Sequence, residues 1–302
     1  MKKILFIVNP VAFAGRGYRA WQRFQALWPE QIKSKDMALT QKTGQAREIA
    51  ACAKNYDIIV AVGGDGTANE VASGIMDRQP PRPALAIVPI GTGNDFAHTV
   101  GVRSLKDALS ALEGGQRKSH DLIKIDCHVN GKPACRYSFL FCGVGFAAAL
   151  LAILKPWMKL VFGPKGAYYF ATLLSLFAYK PPQMKIKWAD KEQSGRTWVV
   201  IAGNAQWAGG GGMKICPGAL TDDGELNIVI VPARAKTEII SEIAKMADGS
   251  YIKEKGILYF PAKEIEVESK PQARLGIDGD VFGTTPAKIK VCPRAIEIIS
   301  LA

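Results

Sequence analysis

Val62-Gly63-Gly64-Asp65-Gly66-Thr67-Ala68-Asn69 packs three glycines, an acid, a hydroxyl and an amide into eight consecutive residues. Glycines in such a turn let the backbone come close to a ligand. The N–H groups and positive dipole end of a following helix then favour an anion. An acid inside an anion-shaped loop requires a cation or a reacting proton beside it, so the chemistry these residues fit is the handling of a phosphate, with Asp65 as the leading candidate. Gly91-Thr92-Gly93-Asn94-Asp95-Phe96-Ala97 repeats the composition: glycines, a hydroxyl, an amide and an acid. Asn9-Pro10, followed by the small-residue stretch Val11–Gly17, is a third polar turn.

Each turn follows a short apolar run with the length and β-branching of a buried strand: Ile4–Val8, Tyr56–Ala61 and Ala84–Ile90. A helical stretch comes after each. Further elements of this half are helices around Tyr18–Leu27, Gln45–Lys54 and Leu105–Leu112, and a strand near Met37–Thr40. Alternation of this kind describes a parallel α/β sheet, whose ligands sit at the carboxyl ends of the strands. One such loop would be explained by a tight turn without a ligand. Three converging loops favour a nucleotide or phosphate site.

From about His120 the pattern changes. Ile123–Val129 alternates and Asn130-Gly131 is a hairpin signal. Gln183–Trp188, Trp198–Gly203, Gly224–Val231, Ile257–Phe260, Ala262–Glu268 and Ala287–Val291 also read as strands, which predicts a β-rich second domain, a sandwich or barrel. Ala147–Lys180 interrupts it. Leu150, Leu151, Leu154, Trp157, Met158 and Val161 recur at helical spacing, and Tyr168–Phe177 is a second apolar helical run. Neither approaches the roughly 20 uninterrupted apolar residues of a membrane span. Two readings stand side by side: amphipathic helices covering a sheet, and a lip whose apolar side chains face lipid while Lys155, Lys159, Lys165, Lys180, Lys185 and Lys187 face anionic headgroups.

Taken in order, these pieces resemble the diacylglycerol kinase catalytic domain family of lipid kinases, which includes sphingosine kinases and bacterial soluble diacylglycerol kinases. The matching residues are Asn9-Pro10, Gly63–Thr67 with Asn69-Glu70, Pro89–Ala97, Gly203-Asn204 with Gly209–Gly212, Pro217–Ala219, Asp222–Leu226 and Ile277–Asp280. They keep their order over nearly the whole chain. The Gly-Gly-Asp-Gly piece alone would also fit NAD kinases and phosphofructokinases. The resemblance implies an α/β fold: an N-terminal NAD-kinase-like three-layer nucleotide-binding domain over residues 1–118, joined by the final strand 289–302, and a C-terminal β-sandwich over 119–288 carrying the helical region 147–180. It implies transfer of phosphate from ATP, with magnesium, to a hydroxyl of a neutral lipid such as diacylglycerol. An NAD-kinase-like metabolite kinase and a non-catalytic nucleotide- or lipid-binding regulator are the alternatives.

Phosphoryl transfer needs a phosphate cradle, a divalent cation and a base or orienter for the attacking hydroxyl. By this resemblance Asn9, Pro10, Thr40, Gly63, Gly64, Asp65, Gly66, Thr67, Asn69 and Thr92 bound the nucleotide, Thr40 through the stretch Thr40-Gln41-Lys42-Thr43-Gly44-Gln45-Ala46. Asp280 stands where the family carries a glutamate as general base, one methylene shorter. Asp65 either handles magnesium through water and helps to position the acceptor, or is itself the base. The Leu220 carbonyl, Asp223 and Glu225 are implied as a structural magnesium site; a plain hairpin turn is the alternative. Asp95, Asp121 and Asp278 extend an acidic, water-linked network, although Asp278-Gly279 alone also fits a β-turn. His98 departs from the arginine that relatives often carry after Asn-Asp-Phe-Ala.

The net charge of +12 implies an anionic partner, such as phosphate ligands or an acidic membrane surface. No zinc-finger spacing, aromatic RNA-binding signature or basic recognition helix supports nucleic acid. Six scattered cysteines without a Cys-x-x-Cys pair read as free thiols in a reducing compartment. Lys2-Lys3 before an apolar run imitates a signal peptide, but Ile4–Val8 is shorter than the usual h-region of about 7–15 residues. The expectation is a cytoplasmic protein, peripheral at the inner membrane face, with a homodimer left open.

Overall fold

A computed structural model describes residues 2–28 and 36–301, the side chains of residues 14, 156, 159, 160, 164, 165 and 168 excepted. Among the described residues the elements run, in chain order, β1 (Ile4–Val8), α1 (Ala12–Gly15), α2 (Gly17–Leu27), β2 (Met37–Leu39), α3 (Gln45–Cys52), β3 (Ile58–Gly63), α4 (Asp65–Met76), β4 (Ala84–Pro89), α5 (Asp95–Thr99), α6 (Leu105–Gly114) and β5 (Gln116–Val129). They continue with β6 (Lys132–Ser138), β7 (Phe141–Gly145), α7 (Phe146–Ile153), α8 (Pro156–Ala178), β8 (Gln183–Trp188), β9 (Lys191–Gly203), β10 (Trp207–Ala208), β11 (Met213–Lys214) and β12 (Leu226–Pro232). The last are α9 (Lys236–Lys245), β13 (Leu258–Ala262), β14 (Glu264–Lys270), β15 (Arg274–Ile277) and β16 (Asp280–Ser300).

The chain divides into two compact units. One runs to His120 and takes back the chain from Arg294; the other is Asp121–Pro293. The sequence reading set these boundaries at 118/119 and 288/289. Both observed boundaries fall inside long strands, β5 and β16.

The first unit is a parallel sheet ordered β2-β1-β3-β4, with the end of β16 added beside β4 through Ile298 and Leu85. Every residue of β3 is buried, as are Ala84–Val88 of β4. A strand buried throughout has both faces covered, which gives the three-layer arrangement. The pair α3 and α4 and the pair α2 and α6 pack together and against these strands. Phe6, Trp21, Phe24 and Trp28 form one aromatic cluster with centroids 5.3–6.2 Å apart, anchoring α2 to β1.

In the second unit, β8, β9, β7, β15, β16 and β14 pair in a closed ring, each antiparallel to the next. Closure leaves none of the six as a free edge. Their inward side chains, among them Val144, Val200, Ile186, Ile265, Val267, Leu275 and Ile289, make one apolar core. A second cluster lies on the outer side of β9 and β12, where Trp198, Val229 and Val231 meet Phe146 of α7, Leu176 of α8 and Ile239 of α9.

The helical region expected within 147–180 is present as α7 and α8, the latter bent at Gly163, where φ is 69° and ψ 171°. The first expected run, Leu150–Val161, is divided between the two helices, and the second, Tyr168–Phe177, is the latter half of α8. Their apolar stripe is divided. Met158, Ala167 and Ala171 are buried against Leu150, Ile153, Leu154 and Phe170. Trp157, Val161, Phe162, Leu173, Leu174 and Phe177 are exposed, Phe177 by 75%. The side chains of Lys159 and Lys165, two of the expected headgroup lysines, lie outside the described residues. Among the described residues, no helix is long and apolar enough to cross a membrane. All six cysteines are free thiols, and burial pushes those of Cys127, Cys142, Cys216 and Cys292 up.

Candidate functional site

In the first unit the predicted nucleotide residues gather because the sheet is parallel: β1, β2, β3 and β4 all end on the same edge. Asn9 follows β1, Thr40 follows β2, Gly63–Thr67 closes β3 and opens α4, and Gly91–Asp95 follows β4. These turns are bonded to one another. Asn9 donates its backbone N–H to Val62 O at 3.0 Å and its side-chain Nδ2 to Thr67 Oγ1 at 3.1 Å. Thr40 N donates to Val8 O at 2.9 Å, and Ile90 N to Gly63 O at 2.8 Å. Phe96 N donates to Asp65 Oδ1 at 2.8 Å, fastening the second Gly-rich loop to the first.

The glycines are required by that approach. A Cβ on Gly91 would stand 2.5 Å from Gly64 Cα and 2.5 Å from Asn94 Oδ1. A Cβ on Gly63 would strike Thr67 Oγ1 at 2.4 Å. A side chain at Gly91 would drive the two loops apart, and one at Gly63 would displace Thr67. Immediately behind it, the first turn of α4 presents Gly66 and Thr67 N–H groups, which have no acceptor within the helix. Thr92 is exposed at the rim. Pro10 O accepts from Tyr18 N at 3.1 Å, which ties the first loop to α2.

Asn69 follows on α4. It is 0% exposed, and both its amide atoms lack a partner among the described residues. It stands four residues after Asp65 on α4, in a helix whose neighbouring residues Thr67, Ala68 and Val71 are also buried. Asp95 is 8% exposed at the start of α5, and His98 stands in the last turn of that helix.

Glu70, which the sequence reading quoted without a role, accepts from Gly44 N at 2.8 Å and Ala46 N at 3.2 Å. It therefore caps α3 from α4 and holds the loop beginning at Thr40. Glu70→Gln keeps one acceptor oxygen where two N–H groups need them. We expect ATP binding to weaken by about three- to tenfold, the worth of one ordinary net hydrogen bond. Isothermal titration with ATP checks this.

The second unit holds the late motifs, and one chain of hydrogen bonds runs through them. Asp278 and Gly279 form a two-residue turn between β15 and β16, both with positive φ (44° and 94°), the geometry of a type I′ hairpin. The Asp278 carboxylate turns inward and accepts from Ser138 Oγ (2.8 Å) and from the N–H groups of Phe139 (3.0 Å), Leu140 (3.2 Å) and Phe141 (2.8 Å). Burial pushes its carboxyl up, and these donors pull the other way. Leu140 O in turn accepts from Asn204 N at 2.8 Å. The Asn204 Nδ2 donates to Phe139 O at 3.0 Å and Asp121 O at 3.1 Å. Asp121, 0% exposed, closes the chain by accepting from Gly224 N at 2.6 Å while its own N–H donates to Thr221 O at 2.6 Å.

Thus Asp121 and Asp278 are joined through Asn204, a residue without an assigned role in the sequence reading. The signal was present in Gly203-Asn204: a Cβ on Gly203 would lie 2.4 Å from Cys216 Sγ, so the backbone here admits glycine alone. Leu220 is exposed, and Asp223 Oδ1 accepts from Glu225 N at 3.0 Å within its own loop. Among the described residues no three His, Cys, Asp or Glu side chains converge as metal ligands. The three predicted ligands, Leu220 O, Asp223 and Glu225, make two carboxylates and a carbonyl, a hard-oxygen donor set of the type magnesium takes. Asp280 opens β16 as an exposed carboxylate paired with Arg136 Nη2 at 3.0 Å.

Residues 3–125 match the diacylglycerol kinase catalytic domain, and residues 153–300 match the YegS C-terminal NAD kinase beta sandwich-like domain. A diacylglycerol kinase of Staphylococcus haemolyticus (strain JCSC1435) is 31% identical over 265 residues, spanning 86% of this chain and 76% of that protein. A solved diacylglycerol kinase structure from Bacillus anthracis (strain Sterne) superposes with a TM-score of 0.69 at 24% identity, covering 99% of this chain and 97% of that one. Yeast NADH kinase shares the fold at a TM-score of 0.50 and 11% identity, over 100% of this chain and 84% of that one. With its α/β unit of interlocked Gly-rich strand ends and its β-sandwich-like second unit, the chain belongs to the diacylglycerol kinase catalytic domain family of lipid kinases.

Proposed function

We propose that this protein transfers the γ-phosphoryl group of ATP, with magnesium, to the hydroxyl of a neutral lipid, diacylglycerol being the first acceptor to test. The observation that carries the donor half is the backbone contact of Gly64 and Gly91, sealed by Phe96 N and Asp65. It leaves main-chain N–H groups of Gly66 and Thr67 directed at one strand edge, where polyphosphate is recognised. Asn9, Thr40, Gly63 and Thr92 bound the same edge, and Asp65 contributes its carboxylate there. Magnesium supplies charge neutralisation on the phosphates when bound. In the second unit Asp280 accepts the proton of the attacking hydroxyl, directly or through one water. Leu220 O, Asp223 and Glu225 would hold a second magnesium that stiffens the 220–225 loop.

The exposed side chains of α8 support a lipid acceptor over a soluble one. Residues 127–189 contain no Asp or Glu at all, yet hold Lys132, Arg136, Lys155, Lys159, Lys165, Lys180, Lys185 and Lys187. An apolar, acid-free stretch of this kind suits an anionic bilayer surface, on which the protein acts peripherally. Vesicle binding should therefore weaken as salt is raised above about 0.1 M, where charges are screened beyond about 10 Å. Flotation with anionic vesicles measures it; salt-independent binding would assign the contact to apolar insertion alone.

The test of function is transfer of labelled γ-phosphate from ATP into an organic-extractable product on mixed lipid vesicles, with NAD in a parallel tube. A labelled lipid is expected. Label confined to the NAD tube would replace the lipid acceptor by a dinucleotide, and no label with ATP still bound would leave a non-catalytic regulator.

A further inference from the structure

Asp280 poses a mechanical problem. Its side chain is 52% exposed, and a short exposed carboxylate ordinarily samples several rotamers. Proton transfer requires one geometry. Here the carboxylate is held by a single guanidinium, Arg136 Nη2 at 3.0 Å from Asp280 Oδ2.

Arg136 is itself well fixed. Its side chain is 15% exposed, and its guanidinium carbon lies 5.2 Å from the centre of the Phe282 ring. Phe282 is two residues beyond Asp280 on β16 and so shares its face of the strand. Arg136 also stands two residues before Ser138 on β6, whose hydroxyl donates to Asp278. One strand thereby grips both sides of the 278–279 turn: Ser138 fixes the turn through Asp278, and Arg136 fixes the side chain that follows it.

Ion pairs with an exposed partner add little to stability, so the fixed position of Arg136 is not explained by what the pair does for folding. Arginine is suited to the alternative task, because its planar fork orients a carboxylate where lysine offers a point charge. We infer that Arg136 is the positioning residue for Asp280, holding one carboxylate oxygen so that the other faces the acceptor hydroxyl. This rests on the proposed reading of Asp280 as the proton acceptor. It also bears on the shortened side chain: an aspartate with less reach depends more on being held in place than a glutamate would.

The experiment measures kcat, and KM for both ATP and lipid, in Arg136→Gln, Arg136→Lys and Asp280→Asn on vesicles of one composition. Arg136→Gln should lower kcat by about 10- to 100-fold, the cost of a misplacement on the scale of 1 Å, with both KM values within about twofold of wild type. Arg136→Lys, which keeps the charge and loses the fork, should recover part of that loss. Arg136→Gln should melt somewhat below Asp280→Asn, since it removes the packing on Phe282 as well as the pair. An unchanged kcat in Arg136→Gln overturns the inference. A raised kcat would mean that the pair sequesters Asp280, and a loss expressed in KM would mean that Arg136 binds a substrate; either also overturns it. Wild-type kcat in Asp280→Asn would instead overturn the assignment of the base, a failure separable from that of Arg136.

Discussion

Asp65→Asn should lower the rate of phosphoryl transfer by about 10³-fold while leaving the fold and its melting temperature intact. The carboxylate has two separable duties. One is structural: Oδ1 accepts from Phe96 N at 2.8 Å and binds the two Gly-rich loops together. An asparagine oxygen still accepts that bond, though without the charge that strengthens it, so the contact between Gly64 and Gly91 survives. The other duty is electrostatic and needs the negative charge, which asparagine lacks. Losing one preorganised charge at the reacting phosphate costs about 10²–10³-fold in comparable sites, and a metal-handling role brings the loss to the upper end. Asp65→Ala separates the two duties. It removes the acceptor as well, so it should lose activity and also about 1.5–3 kcal/mol of stability, the worth of a hydrogen bond to a charged group. Kinetics on lipid vesicles and thermal unfolding of both variants decide the matter. Wild-type activity in Asp65→Asn would remove Asp65 from the chemistry and leave it only its bond to Phe96.

The convergence of the Gly-rich turns on one sheet edge was legible in the sequence because its information is local. Each turn lies within a few residues of the strand and helix that position it, and a parallel sheet brings such turns to one edge without further instruction. The contacts that lock the turns were not legible, since Asp65 meets Phe96 across 31 residues and Asn9 meets Thr67 across 58. The second unit was harder for the same reason. Asp278 binds a segment about 140 residues earlier, and Asn204 reaches back 83 residues to Asp121. Only the glycines and acids at the joints show in the sequence, not their pairing. β16 was read as two pieces, the short run Ala287–Val291 and a final strand 289–302 returning to the first unit, whereas one strand extends over Asp280–Ser300 and changes partners from β15 to β14 to β4. Its prolines, Pro286 and Pro293, disguise that continuity. The helix α9 was not anticipated; its apolar Ile239, Ile240 and Ile243 are interleaved with four charged residues. The burial of Asn69, a polar residue inside a binding motif, was not legible either.

The joint in the second unit that should prove least replaceable is Asp278. Four donors converge on its carboxylate: Oδ1 serves Ser138 Oγ and the N–H groups of Leu140 and Phe141, and Oδ2 serves the N–H of Phe139. Three of these are consecutive main-chain groups, which cannot turn elsewhere without unmaking the bend that carries them. Asp278→Ala leaves them without an acceptor. Each buried donor so stranded costs about 1–3 kcal/mol, and because one segment carries all three the losses overlap, so we expect roughly 3–5 kcal/mol of destabilisation by chemical denaturation. Asp278→Asn should be milder, about 1–3 kcal/mol, because one oxygen still accepts while its amide opposes the Phe139 N–H. The damage should also travel. Phe139 O and Leu140 O are the acceptors that seat Asn204, and Asn204 holds Asp121, which holds Gly224. Hydrogen exchange at Gly224 and Asn204 should quicken in Asp278→Asn at a denaturant concentration where the variant is still folded. Unchanged exchange there would mean that the three late motifs are independent turns, each stable alone. Faster exchange at all of them would make Asp278 the residue through which the hairpin bearing Asp280 and the loop bearing Asp223 and Glu225 are held as one piece.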